Sequence, residues 1–337
     1  MTTPIIGITM GDPAGIGPEI CVLSLSNQSV RQSVRPILIG DLGHLEEARN
    51  VLISKGRLPS EGPTLRGLGA EGLDGVDFAA DVIHVLDLDN VPPDLEWGTM
   101  NLTAGRCSFD YLKTAVDLAM SKKIEAIATA PINKEGWKLA GVAFPGHTEA
   151  LAALSGSKQS AMMLVNAGLR VVHVTTHVSL RQAIELATTE RILATIALTI
   201  ESLHGLGLSQ PKLAVAGLNP HAGEAGLFGS EEERMIRPAV EQAIEKGWNV
   251  NGPYPPDSVF ARGASGEFDA VVALYHDQGH IAIKMIGMDT GINVTLGLPF
   301  LRTSVDHGTA FDIAGQGIAR ETSMIKSIEL AAEFLRR

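Results

Sequence analysis

Cysteine and aromatic residues are scarce in this chain. Its two cysteines, Cys21 and Cys107, stand far apart among 337 residues. That excludes a disulfide framework and a zinc-finger spacing, and predicts two reduced, buried thiols in a cytoplasmic protein. Phe, Trp and Tyr together make up 4% while apolar residues reach 45%, so Ala, Val, Leu and Ile must fill the core, as they do in parallel sheets covered by helices. No apolar run approaches the roughly 18 residues of a membrane span, and the N-terminus does not read as a signal segment. A net charge of -11 argues against nucleic acid or an anionic membrane as the main partner, while leaving room for a local basic pocket that binds a phosphorylated metabolite.

What the chain does have is alternation. Apolar strands alternate with amphipathic helices: PIIGITM then GPEICVLSLSN, RPILIGD then LEEARNVLISKG, and a long helix from Leu102 to Lys123 before EAIATAP. This predicts an α/β fold with mostly parallel sheet. The glycine- and proline-rich stretch from Gly56 to Asp81 reads as irregular. SAMMLVNAG and LRVVHVTTH, separated by a turn at Ala167 and Gly168, read as a hairpin, so the strands there are mixed in direction. Further on, the pattern predicts a helix from Leu180 to Leu203, a strand from Lys212 to Leu218, a helix from Glu231 to Lys246, strands at Asp269 to Tyr275 and Ile292 to Leu296, and a final helix from Glu321 to Leu335.

Three histidines, His177, His221 and His276, each stand where an apolar strand gives way to a turn, and α/β proteins bind ligands at the carboxyl ends of strands. Three imidazoles with an open coordination position make a Lewis-acid site. His173 reads as a strand-face residue, His44, His84 and His204 as surface residues without a role, and His307 as a further site candidate. Gly11, Asp12, Gly15 and Gly17 lie in a strand-to-helix turn that either approaches a cofactor or is only structural; the spacing is not the Rossmann fingerprint. His147 and Thr148, in PGHTE, either bind an anion at a helix start or form a threonine cap. Lys284, Asn293 and Arg302 form a dispersed set suited to a phosphate. Asp257, after a double proline, is either a turn residue or a carboxylate aimed at the metal.

GITMGDPAGIGPE, ATAPINKE, PGHTE, NPHAGE, GPYPPDSVF, YHDQGH and NVTLGLPFLRTSVDHGTAFDIAG, taken together and in order, closely resemble the PdxA family, typified by 4-hydroxythreonine-4-phosphate dehydrogenase. The resemblance implies two α/β/α domains with mixed, mostly parallel sheets, like isocitrate and isopropylmalate dehydrogenases, with an active-site cleft between them. The expected division is residues 1–130 with 300–337 as a terminal domain and 131–299 as a central domain. It implies a homodimer in which His177 and His221 of one subunit and His276 of the other hold a divalent metal. Zinc is expected, with magnesium, cobalt or nickel as alternatives. His147, Thr148, Lys284, Asn293 and Arg302 match substrate-binding positions, and Asp257, Lys284 and His147 are the candidates for proton transfer. The cofactor implied is NAD or NADP. The reaction implied is oxidation and decarboxylation of 4-phosphohydroxy-L-threonine, 4-phospho-D-threonate or 4-phospho-D-erythronate. Oxidation of a cis-dihydrodiol carboxylate, or a metal-dependent hydrolase or lyase, is the alternative.

Overall fold

The computed structural model describes residues 3–69, 73, 75–78, 82–287 and 291–336. They fall into two compact units, Met1–Lys158 with Leu298–Arg336, and Gln159–Gly297.

The strands, in chain order, are β1 (Ile5–Thr9), β2 (Arg35–Gly40), β3 (Thr64–Leu68), β4 (Val82–Asp87), β5 (Ala126–Thr129), β6 (Ala161–Asn166), β7 (Leu169–His173), β8 (Leu213–Ala216), β9 (Val250–Tyr254), β10 (Ala270–Ala273), β11 (Ile292–Leu296) and β12 (Leu301–Val305). The helices are α1 (Gly17–Ser26), α2 (Gln28–Ser33), α3 (Leu42–Ser54), α4 (Leu102–Met120), α5 (Lys134–Leu139), α6 (His147–Ser155), α7 (Leu180–Leu186), α8 (Thr189–Gly205), α9 (Arg237–Glu245), α10 (Pro256–Ala264), α11 (His276–Ile286) and α12 (Thr322–Leu335).

In the first unit six strands run parallel in the order β3-β4-β2-β1-β5-β12. Ile6, Ile8, Ile37, Leu38, Ile39, Ala126 and Ile127 are fully buried, the continuous apolar character of strands covered on both faces. Both thiols are buried here, and burial pushes Cys107 up to about 12. In the second unit the order is β11-β6-β7-β10-β8-β9. β6 is antiparallel to both β11 and β7, and the rest are parallel. The β6–β7 hairpin turns at Ala167 (φ 44°) and Gly168 (φ 90°), the two positive-φ residues that a tight hairpin needs. Both units are therefore α/β, with a parallel sheet in the first and a mixed, mostly parallel one in the second.

Four boundaries differ from expectation. The terminal unit extends to Lys158 rather than 130, because helix α4 carries the following segment. A Cβ on Gly105 would lie 2.2 Å from the Gly136 carbonyl oxygen. Trp137 donates its indole N–H to Ser108 Oγ (2.8 Å), and Phe109 packs on Trp137 and Phe144. Strand β3 lies within the stretch read as irregular; residues 70–72, 74 and 79–81 of that stretch are outside the described residues. The helix expected over 180–203 is two helices, because Thr188 caps a new start by accepting from Arg191 N. The helix expected over 231–246 begins as a π turn at Glu232–Ile236. Among the described residues no helix is long and apolar enough to cross a membrane.

Candidate metal and phosphate sites

Strands β7, β10 and β8 are parallel neighbours, so the turns at their carboxyl ends place His177, His276 and His221 along one edge of the second unit's sheet. Two staples hold that edge. Thr175 donates to the Leu274 carbonyl (2.8 Å), and Gln278 accepts from Leu274 N (2.7 Å) while donating to the Gly217 carbonyl (2.7 Å). The rings of His177 and His276 come within 5.6 Å, centre to centre, and border a pocket of about 500 Å³ with Tyr275, Asp277 and Ser179.

Two imidazoles that share a tetrahedral ion, each nitrogen about 2.1 Å away, have ring centres roughly 5 Å apart. The observed spacing fits. His276 Nδ1 also lies 2.6 Å from Asp277 Oδ1. A carboxylate there holds the proton on Nδ1 and leaves Nε2 as the ligand nitrogen, the usual support of a metal-binding histidine. Among the described residues no three His, Cys, Asp or Glu side chains converge on one point. Within one chain His177 and His276 are neighbours.

His221 sits on an unusual turn. His221, Ala222, Gly223, Glu224 and Ala225 all have positive φ, from 42° to 80°. Left-handed backbone costs a non-glycine residue about 1–2 kcal/mol, and such strain persists only where the surroundings over-determine it. Glu232, 1% exposed, supplies that constraint. Its carboxylate accepts from Leu218 N (2.8 Å), Asn219 N (2.7 Å) and Asn219 Nδ2 (2.9 Å). Its Oε2 also fills the place of a Cβ at Gly223. The exposed His221 ring lies 6.1 Å from Phe228.

The remaining candidates of this unit are scattered in environment. Lys284 is half-buried on α11 and Asn293 half-buried on β11, where Asn293 Oδ1 is shielded from solvent without a hydrogen-bond partner. Asp257 is exposed in the first turn of α10, a favourable place for a carboxylate whatever its role. His173 is fully buried, and burial, reinforced by His280, lowers it to about 3.

The first unit brings Arg302, His147 and the start of α6 together. Arg302, on β12 beside β5, is 2% exposed and donates to Thr129 Oγ1 (2.7 Å). Burial lowers its guanidinium to about 9, so it remains a cation at neutral pH, and an incoming anion relieves that cost. His147 begins α6. Burial, then the charges of Arg302 and Lys134, hold its imidazole well below its ordinary range, hence neutral. Its Nε2 is shielded and has no hydrogen-bond partner. Gly146 occupies the cap position of α6 without a side-chain bond. Thr148 is therefore inside the helix and not its cap, and no side chain caps the first-turn amides. His307 is exposed in its turn, with Nδ1 3.1 Å from the Gly308 carbonyl oxygen.

The glycine turn is tightly packed against neighbouring backbone. A Cβ at Gly11 would meet the Pro131 carbonyl oxygen at 2.4 Å, at Gly15 Thr309 at 2.9 Å, and at Gly17 the Met10 carbonyl oxygen at 2.1 Å. The chain's own backbone closes in on all three positions, which accounts for glycine at each of them. Asp12 is the residue of interest in this turn. It is 1% exposed, accepts from Ala14 N (2.9 Å) and the Asn133 amide, and has no partner on Oδ2. Burial raises it to about 6 from 3.8. The folded protein thus binds more protons than the unfolded chain between those values, and stability falls as pH rises through that window. Asp12→Asn keeps the amide contacts and removes the buried charge. It is expected to raise unfolding stability at pH 7.5 by up to about 3 kcal/mol, with no gain near pH 3.5, as measured by urea unfolding.

Two histidines read as surface residues are buried, His44 at 6% and His84 at 2% exposure. His44 stacks on Trp97 and contacts the Pro13 carbonyl (2.7 Å), so it braces the glycine turn. Glu232 and Gln278 escape sequence reading because each acts on a neighbouring loop. The only local signal was Gln278 in YHDQGH.

The family model for the pyridoxal phosphate biosynthetic protein PdxA matches residues 32–331. The chain belongs to the PdxA family. It is 47% identical to a D-threonate 4-phosphate dehydrogenase of Cupriavidus necator, over 99% of this chain and 98% of the relative. It is equally 47% identical to a 4-hydroxythreonine-4-phosphate dehydrogenase of Desulforapulum autotrophicum, over 98% and 95%. A crystal structure of 4-hydroxythreonine-4-phosphate dehydrogenase from Klebsiella pneumoniae superposes with a TM-score of 0.91 at 42% identity, covering 100% of this chain and 99% of that one.

Proposed function

We propose that this PdxA-family protein oxidises the 3-hydroxyl of a 4-phosphorylated four-carbon acid and releases its carboxylate as carbon dioxide. The candidates are 4-phospho-D-threonate, 4-phospho-D-erythronate and 4-phosphohydroxy-L-threonine. The observation that carries the phosphate is the buried Arg302 beside neutral His147 and the uncapped amides of α6. A guanidinium fork, an imidazole Nε2 and helix amides are together suited to a phosphate's several oxygens. The relatives' names point to the same substrate class.

In this reading His177 and His276, with His221, hold a divalent metal, zinc first on donor chemistry. A bound cation supplies the Lewis acidity that makes a secondary hydroxyl acidic and stabilises the charge left by decarboxylation. Asp277 keeps the His276 proton on Nδ1, and Glu232 holds the turn that carries His221. Arg302, His147 and Thr148 hold the phosphate and Asn293 orients a polar group through Oδ1. Oxidation removes a hydride from carbon 3 and a proton from its hydroxyl. The ketone so formed lies β to the carboxylate, the C–C bond breaks, carbon dioxide leaves, and a proton returns to the carbon that kept the electron pair. NAD, or NADP, is the hydride acceptor we propose. Lys284, Asp257 and His147 are the residues that can carry the protons.

A homodimer completes the reading. Val178, Leu180, Ile184, Leu186, Ile281 and Met285 are exposed apolar side chains of the second unit, a concentration that favours a protein contact, and a shared metal site accounts for ligands that do not all converge in one chain. The deciding experiment is NAD reduction with the three phosphorylated acids, with and without added metal. One of them is expected to be turned over at least about a hundredfold better than its dephosphorylated form, and no turnover of any would overturn the proposal.

A further inference from the structure

His276 does not stand alone. Four residues along α11, the ring of His280 lies flat against it, centres 3.6 Å apart and planes 13° from parallel. His280 is 7% exposed, and its Nδ1 lies 3.2 Å from His173 Nε2 and 3.0 Å from the His276 carbonyl oxygen. His173 is fully buried, with Nδ1 3.4 Å from the Met162 carbonyl oxygen. A carbonyl only accepts. A neutral His173 with its proton on Nδ1, toward the Met162 carbonyl, presents Nε2 as an acceptor to the Nδ1–H of His280. Helix α11 is seated directly on this arrangement, since a Cβ at Gly279 would fall 2.3 Å from His173 Nε2.

Two interior imidazoles cost desolvation that leucine at either place would avoid, so bulk filling does not account for the pair. Nor is His280 a second ligand for the same ion. The two rings are nearly parallel and 3.6 Å apart, so their in-plane lone pairs lie in separate planes and would not converge on one ion.

We propose that His173 and His280 are positioning residues that act as one unit: His173 fixes the plane of His280, and His280 fixes the plane of His276 for metal binding. The inference rests on the metal reading given above. In the full-length protein, Co²⁺ affinity, measured by competition with a chelator, and the visible absorption of bound Co²⁺ test it. His280→Leu and His173→Leu are each expected to weaken Co²⁺ binding about 10- to 100-fold and to alter the Co²⁺ spectrum. The double variant is expected to lose no more than the weaker single, because the second change removes a contact already broken. Wild-type Co²⁺ affinity and spectrum in both single variants, with the loss confined to His276→Ala, would overturn the pair's role and leave the metal reading intact. Unchanged affinity in His276→Ala would overturn the metal reading and this inference with it. If a leucine variant does not fold, His280→Phe keeps a flat ring and removes the donor. The same loss is expected, and wild-type Co²⁺ affinity there counts against the proposal.

Discussion

His276→Ala is expected to reduce metal-dependent turnover by at least about a thousandfold and to release most of the bound metal on dialysis. The size follows from position. His276 opens α11 at the end of β10, its Nδ1 held by Asp277 at 2.6 Å and its ring centre 5.6 Å from that of His177, so its removal takes away the nitrogen we propose as a ligand. Water can replace the nitrogen but not its orientation. Added imidazole is expected to restore part of the activity, and His204→Ala, at an exposed histidine, to change nothing. Steady-state kinetics with elemental analysis of dialysed protein decides the matter. Full turnover in metal-depleted His276→Ala protein would remove the metal from the reaction.

The second large effect is at the phosphate. Arg302→Ala is expected to lower kcat/KM for the phosphorylated substrate about 10²- to 10³-fold, the cost of truncating one partner of a buried charge pair. The same change should leave the weak turnover of the dephosphorylated acid almost untouched. Arg302→Lys is expected to recover only part of the loss, because an ammonium keeps the charge and not the fork. Unfolding curves must accompany the kinetics, since Arg302 is 2% exposed and bonded to Thr129. Equal losses for phosphorylated and dephosphorylated substrates would place Arg302 in the scaffold and not in phosphate recognition.

The parts of this protein that could be read along the chain are those fixed by short-range physics. Val, Ile and Ala runs covered on both faces announce parallel strands, and β11 falls at Ile292–Leu296 as periodicity requires. Ala167 and Gly168 announce the hairpin because few residue pairs accept two positive φ angles. The strand-end position of His177, His221 and His276 was legible for the same reason, as was the helix start at PGHTE. Other features depend on neighbours that lie far off in sequence. That Gly11, Gly15 and Gly17 must be glycine is decided by Pro131, Thr309 and Met10, which occupy the space a Cβ would need. Residues 131–158 join the terminal unit only because Trp137 and Phe144 pack on α4.

Local composition and the order of motifs determined the fold class and the family, because strand burial and turn conformation are set by residues a few positions apart. The tertiary structure alone decided which histidines meet, that His173 and His280 lie behind His276, and that Glu232 holds the strained turn of His221. These are contacts between strand ends and helix starts brought together by sheet order, and sheet order is a property of the assembled core that no local window contains.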